Sequence, residues 1–307
     1  MSRYLAQRLF SLIAVLFTAS TLVFSLIHII PGDPIDLILG EHAIPSDREA
    51  FRHALQLDLP LPTQYVHFLQ GLFSGNLGQS LFERKPVLEL LIERFPATLE
   101  LAFFSMVLAL VLALFLGITA AVKKGTFWDH TSMLTALLGI SIPHVWLGPI
   151  LILLFSITLD LLPLSGRHET FSFVLPSITL GSGMAAILTR MTRSSMLETL
   201  REDYVRTAKA KGVSESKIIF HHVLKNALPP ILTIAGLQFG SLLTGAVVTE
   251  KIFGWPGIGS LLIQSIERRD YPVLQGCILL IAFTYSLVNF LTDLLQMRMD
   301  PRMRLPS

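Results

Sequence analysis

Four stretches of the chain, 9–30, 98–122, 131–159 and 274–295, are apolar over a length that crosses about 30 Å of hydrocarbon, which takes roughly 20 helical residues. A fifth, 230–248, is diluted by Gly236, Gly240 and Gly245 but keeps Ile231, Leu232, Ile234, Leu237, Phe239, Leu242, Leu243, Val247 and Val248. The sixth, 173–188, carries Pro176, Ser177, Thr179, Gly181, Ser182 and Gly183, and hydropathy alone leaves it undecided. Outside these spans, Tyr65, Phe68, Leu69 and Leu72 recur at helical spacing, and Val87, Leu90, Leu91 and Phe95 nearly so. Both patterns predict short amphipathic helices lying on the bundle or the bilayer, or offering a docking surface to an external partner.

Charge placement settles the number of crossings. With six spans and the N-terminus inside, the inner segments (1–8, 123–130, 189–229 and 296–307) hold 15 Lys and Arg and the outer segments 9. Omitting the sixth span leaves 7 inside and 17 outside, which the positive-inside rule rejects. Six crossings with both termini cytoplasmic are therefore expected. The first span is too long for a signal-peptide core and ends in Ile29-Ile30-Pro31 without a small-x-small cleavage site, so it is read as an anchor. Pro31-Gly32-Asp33-Pro34 then stops that helix.

Composition agrees with this picture and narrows it. Of 307 residues, 52% are hydrophobic and 15% charged, and the net charge is +2; the mean hydropathy is +0.62. A disordered chain needs the opposite balance, and so small a net charge gives no field for gripping nucleic acid. Cys277 stands alone, which excludes an intrachain disulfide.

Two connections carry unusual chemistry. The inner loop runs from Asp203-Tyr204-Val205-Arg206-Thr207-Ala208-Lys209-Ala210-Lys211-Gly212 to Asn226-Ala227-Leu228-Pro229-Pro230. Good helix formers end at Gly212, a residue suited to a left-handed C-terminal position, and Ser214 is placed to cap a second helix. That helix is expected to carry Ile218, Ile219, His222 and Lys225 on one side and to stop before Pro229-Pro230. The product is either a stiff cytoplasmic helix-turn-helix or a solvated basic loop that serves topology. In the outer segment 250–272, Phe253-Gly254-Trp255-Pro256-Gly257-Ile258-Gly259 is too rich in glycine for a regular helix and too apolar for water. It is expected to fold over the bundle mouth, as a passive cap or as a gate on a solute path.

At these residues the sequence resembles the membrane-spanning permease subunits of bacterial ATP-binding-cassette importers, in the dipeptide, oligopeptide and nickel branch. Ala208, Gly212 and Leu228-Pro229 match the cytoplasmic signature of those permeases, with Arg206 and Thr207 in place of its first Glu and Ala. The branch form fits closely over Asp203–Gly212 and Asn226–Leu228. Further matches are Pro31–Pro34, Leu57–Tyr65, Pro96–Ala102, Ser141–Pro143, the Phe-x-Trp-Pro-Gly-x-Gly loop, Arg269–Pro272 and Asp300–Arg302.

The resemblance implies an all-α polytopic protein with the type I importer permease fold. Its parts would be an N-terminal span (1–30), an extracytoplasmic segment (31–97), a permease core (98–295) containing the coupling loop 197–229, and a cytoplasmic tail (296–307). It implies partnership with a second, homologous permease, two cytoplasmic ATPases, an extracytoplasmic solute-binding protein and the lipid of a bacterial inner membrane. Coupling to the ATPases would fall on Asp203, Tyr204, Arg206, Thr207, Ala208, Ala210, Lys211, Gly212, Asn226, Leu228 and Pro229; gating would fall on Phe253, Trp255, Pro256, Gly257 and Gly259. Dipeptides or oligopeptides are the expected cargo, with nickel or a metal chelate as the alternative, and a stand-alone secondary transporter is the rival class.

The chain has no phosphate-cradling Gly-x-x-x-x-Gly-Lys, no His-Glu-x-x-His and no Gly-x-Ser-x-Gly, so no catalysis and no cofactor are expected. Gly78-Gln79-Ser80 lies in an outer segment, away from any intramembrane protease position. His221 and His222 are neighbours on a helix, pointing about 100° apart, and are poorly placed to share a metal. Within spans, Glu100, Gln238, Asn289 and Asp293 are candidates for lining a path or for interhelical bonding. Gly236-x-x-x-Gly240 and Ser241-x-x-x-Gly245 are read as close-approach surfaces, and Cys277 as a packing residue.

Overall fold

The computed structural model describes residues 2–29, 44, 49, 53 and 58–299. The expected Pro31–Pro34 turn, Leu57, the terminal Asp300–Arg302 and the surroundings of Gly245 lie outside what is described. In chain order the helices are α1 (Ser2–Ile29), α2 (Leu61–Ser74), α3 (Val87–Val122), α4 (Phe127–Ser141), α5 (His144–Leu151), α6 (Val174–Thr199), α7 (Asp203–Ala210), α8 (Leu224–Ile252), α9 (Ile258–Glu267) and α10 (Tyr271–Met299). A π-helical stretch, Ile152–Thr158, prolongs α5; Glu215–Lys217 and the π-helical Ile218–Val223 lead into α8. Five helices are long and apolar enough to cross a membrane, and the bent pair α4 and α5 makes a sixth crossing if counted as one span.

The undecided span is the most enclosed of them. The most apolar window of α6 is 61% buried, against 17% for that of α10, because α6 packs against α3, α4 and α8. Ser177, Thr179, Thr189 and Thr192 therefore face protein. Glycine permits the approach: a Cβ at Gly181 would sit 2.8 Å from the Ser105 carbonyl oxygen, and one at Gly117 would sit 2.6 Å from the Thr192 Cβ. Leu101, Ala109, Leu188, Leu242 and Trp255 close the core around this helix. Between α8 and α10, Gly236 gives the same close approach, since its Cβ would lie 2.4 Å from the Thr292 hydroxyl.

Three expectations about element boundaries are corrected. The stretch 131–159 is not one straight span, because α4 and α5 meet at 100°. Pro143 biases Ile142 out of helical backbone, and Ile142 is extended at φ −93 and ψ 117. The pattern Val87, Leu90, Leu91, Phe95 does not form a separate surface helix; it is the first turns of α3, which runs through Pro96. Likewise α8 continues through Pro229 and Pro230, where the preceding helix was expected to end. Prolines persist in membrane helices when other groups or water take up the freed backbone, and the carbonyls freed here belong to Lys225 and Asn226, both exposed residues four positions before the prolines.

Candidate functional site

The inner loop folds as a compact elbow. α7 ends in a Schellman turn: the Gly212 amide donates to Lys209 O at 3.0 Å and the Val213 amide to Ala208 O at 3.2 Å. Gly212 takes the left-handed conformation this closure needs, with φ +73, and a Cβ there would meet nothing within 4 Å. Beneath the turn, Ala121, Met196, Val205, Ala208, Ile218, Val223, Ala227 and Ile231 form one buried cluster. The cluster joins both limbs of the elbow to α3, α6 and α8.

The inward stripe of the second limb is Ile218, Val223, Ala227 and Ile231. This corrects the expected face of Ile218, Ile219, His222 and Lys225, of which only Ile218 is fully buried and Lys225 is exposed. The π stretch is the reason: one wider turn moves the next inward position from four residues on to five, and the register then returns to four in α8. Across the limbs, Asn226 donates to the Tyr204 hydroxyl at 3.0 Å and to His222 O at 2.8 Å. Asp203, Tyr204, Arg206, Thr207, Ala210, Lys211 and Gly212 remain exposed, whereas Ala208 faces inward and Leu228 and Pro229 are half-buried at the base of α8.

On the opposite side, the Phe253–Gly259 segment is sealed into the bundle. Phe253 and Trp255 are 2% and 1% exposed. The Trp255 indole donates to Ala97 O at 2.8 Å, and Gly254 is left-handed at φ +59. Gly257 precedes α9, and Gly259 lies within that helix, where the glycine content had suggested none. The anchor, missed in the sequence, is Glu250. It is fully buried, and its carboxyl accepts from the Thr98 hydroxyl at 2.7 Å and from the Ser260 amide at 2.9 Å. Thr98 also accepts from the Ile258 amide at 2.8 Å. A Cβ on Gly257 would fall 2.3 Å from the same carboxyl, so only glycine fits beside it.

A second outer clip holds the segment before α3 against the start of α10. The Asp270 carboxylate accepts from the Ser80 hydroxyl and from the Leu81 amide at 3.2 Å and the Phe82 amide at 3.3 Å. Ser80 is thus a structural hydroxyl.

The polar residues proposed from the spans divide. Asp293 pairs with Arg8 at 3.0 Å, joining α10 to α1. Glu100 pairs with Arg167, whose Nε lies 2.8 Å from it. Both are taken up by bonding between elements. Asn289 is half-buried, and its amide oxygen has no protein partner among the described residues; Gln238 is half-buried on α8. Asp129 and Arg193 form a two-point ion pair at 2.8 Å for each contact, between α4 and α6, and the same aspartate accepts from the Gly125 amide. Nothing in local sequence marks Glu250 with Thr98 or Asp129 with Arg193, because their partners lie 152 and 64 residues away.

With the geometry in hand, comparison with known proteins decides the family. The family described as "Binding-protein-dependent transport system inner membrane component" matches residues 113–305, and its N-terminal counterpart matches residues 1–102. The chain belongs to this permease family. It is 45% identical to the di/tripeptide transport system permease protein DppB of Pseudomonas aeruginosa (strain UCBPP-PA14), over 99% of each chain. It is 44% identical to the glutathione transport system permease protein GsiC of Escherichia coli (strain K12), again over 99% of each.

Among solved structures, an inward-facing methionine transporter MetNI has the same fold at a TM-score of 0.58 and 20% identity, covering 69% of this permease and 96% of that chain. An amino acid transporter solved with histidines gives 0.52 and 17%, covering 68% and 94%. The permease is accordingly a multi-pass inner-membrane subunit of a bacterial ATP-driven importer. It translocates and does not catalyse, ATP hydrolysis belonging to separate subunits that act with a solute-binding protein.

Proposed function

We propose that this permease imports short peptides of the di- and tripeptide class, glutathione included, and that the elbow at Gly212 transmits ATPase closure to the spans. The observation carrying the mechanical part is the continuity of the second limb with α8 through Pro229 and Pro230, over a single buried cluster. A rigid lever joined to a span converts displacement at Tyr204, Arg206 and Lys211 into movement of α8, whereas a loop with its own freedom would absorb it. The peptide assignment follows the two relatives named above, which align end to end with this chain.

The working assembly is this permease, a second homologous permease, two ATPases and an external binding protein, with the solute crossing between the permeases by alternating access. Both termini lie in the cytoplasm on this reading. The Arg8–Asp293 pair supports it, since it sets the start of α1 beside the far end of α10. Phe253, Trp255, Pro256, Gly257 and Gly259 act as a rigid outer gate element, moving as a body with α8 and α9 because Glu250 ties them together. Gln238 and Asn289 line the path from α8 and α10.

Purification of the permease with its neighbouring subunits, followed by uptake of labelled dialanine, trialanine and glutathione into proteoliposomes, tests the assignment. ATP-dependent uptake of at least one of these is expected. Uptake by the permease without any ATPase would overturn the mechanism.

A further inference from the structure

The break between α4 and α5 is open toward the outside of this chain. From residue 131 to the break is about ten residues, or about 15 Å of helix, which puts it near the middle of a core about 30 Å thick. Ile140–Trp146 are all exposed, Trp146 by 69%. Among the described residues, no amide or side chain from outside α4 donates to the carbonyls of residues 138–141. Bare carbonyls at this depth are not left against lipid; irregular backbone occurs there only beside protein or water.

Two polar side chains stand at the break: the Ser141 hydroxyl donates to Leu137 O at 2.8 Å within its own helix, and His144 reaches across to α6. The Nδ1 of His144 lies 2.7 Å from the Thr179 carbonyl oxygen. A carbonyl can only accept, so Nδ1 carries the proton and the Nε2 of the neutral ring keeps its lone pair. Gly183 leaves room for this arrangement, since a Cβ there would lie 3.1 Å from the ring. No hydrogen-bond partner takes up Nε2 among the described residues. Ile142 and Trp146 supply exposed apolar surface on either side.

We propose that the Ser141–His144 break lines the aqueous path for the solute, and that His144 Nε2 accepts a hydrogen bond from an N–H group of the peptide in transit. The inference rests on the peptide-importer reading above, and it adds a break in the chain to the path-lining positions on α8 and α10. A largely apolar wall with few acceptors suits a small amphiphilic solute that must be held briefly and released.

The test uses the assembled importer in proteoliposomes with Cys277→Ala as background. Ile142→Cys, Trp146→Cys and, on the outer face of α3, Phe115→Cys are each treated with a charged, membrane-impermeant thiol reagent on both sides, with and without dialanine. Labelling at 142 and 146, slowed by dialanine, with none at 115, is expected. Absence of labelling at both break positions overturns the path assignment, whatever the importer transports. Adding His144→Leu to Trp146→Cys should raise the dialanine concentration for half-protection about tenfold, the worth of one well-placed hydrogen bond. His144→Gln, whose amide oxygen still accepts, should largely restore it. Unchanged protection in the leucine variant, or equal loss in both, overturns the contact. An importer that labels as expected but transports none of the three peptides rejects the substrate reading and leaves the path assignment standing.

Discussion

Replacing Gly212 separates backbone strain at the elbow from interference with a partner. A Cβ at this position meets nothing within 4 Å, so the penalty inside the chain is conformational. Holding a non-glycine residue at φ +73 costs about 1–2 kcal/mol, least for asparagine and most for a β-branched residue. The Schellman turn opposes this with two amide bonds worth about 1 kcal/mol each. Gly212→Asn should therefore keep the turn, Gly212→Ala should weaken it, and Gly212→Val should leave it open about half the time. A shift of 1–2 kcal/mol changes the closed-to-open ratio by about 5- to 30-fold.

Uptake per ATP hydrolysed, measured in proteoliposomes beside the amount of assembled complex, reads the effect. Assembly should persist in all three variants, while coupling falls in the order Asn, Ala, Val. Wild-type coupling in Gly212→Val would refute the lever. Equal failure of all three would show that any Cβ obstructs the ATPase surface, which would make strain irrelevant.

Removing the acceptor of the outer staple by Glu250→Ala leaves the Thr98 hydroxyl and the Ser260 amide buried without their partner, and should lower stability in detergent by about 2–5 kcal/mol in a thermal aggregation assay. Gly257→Ala should fail in the same assay, because its Cβ collides with that carboxyl. Asp129→Asn and Arg193→Gln should each destabilise by about 3 kcal/mol, and the double variant by clearly less than their sum, as a double-mutant cycle of melting temperatures would register. Gly181→Val should reduce the folded yield in the membrane, since the Ser105 backbone cannot retreat from a side chain 2.8 Å away.

The sequence was most informative where one local rule dominates. Hydropathy located the straight spans, and the charge imbalance rescued α6, whose polar positions misled hydropathy because they face protein. Gly212 was legible because a helix ending on glycine leaves few backbone choices. Two of the misreadings share one cause, a change of helical register or direction inside a continuous apolar run; two others set a boundary at prolines that α3 and α8 run through. An apolar pattern of 3.6 residues per turn carries no mark where the turn widens, so the inward face at Ile218–Val223 was assigned from the wrong period. A span of 29 residues also looked merely long at 131–159, although Pro143 stood within it.

The buried polar contacts explain why scattered sequence pieces accompany the elbow. Pro96–Ala102 and Phe253–Gly259 meet in space, since Trp255 bonds to Ala97 O and Thr98 bonds both Glu250 and the Ile258 amide. Arg269–Pro272 contributes Asp270 to the clip on Ser80. The outer face is thereby pinned at two points, and the inner elbow is built over a single apolar cluster joined to the foot of α8. One helix, α8, belongs to both assemblies, with Ile231 in the elbow's cluster and Glu250 in the staple. Displacement imposed at the elbow end must then either bend α8 between these anchors or carry the staple with it. Helix bending concentrates where ladder bonds are missing, and the two prolines lie between Ala227 and Ile231, both held in the elbow's own buried cluster. The length beyond them, up to Glu250, has no proline to absorb the motion and should move as one piece with the outer loop.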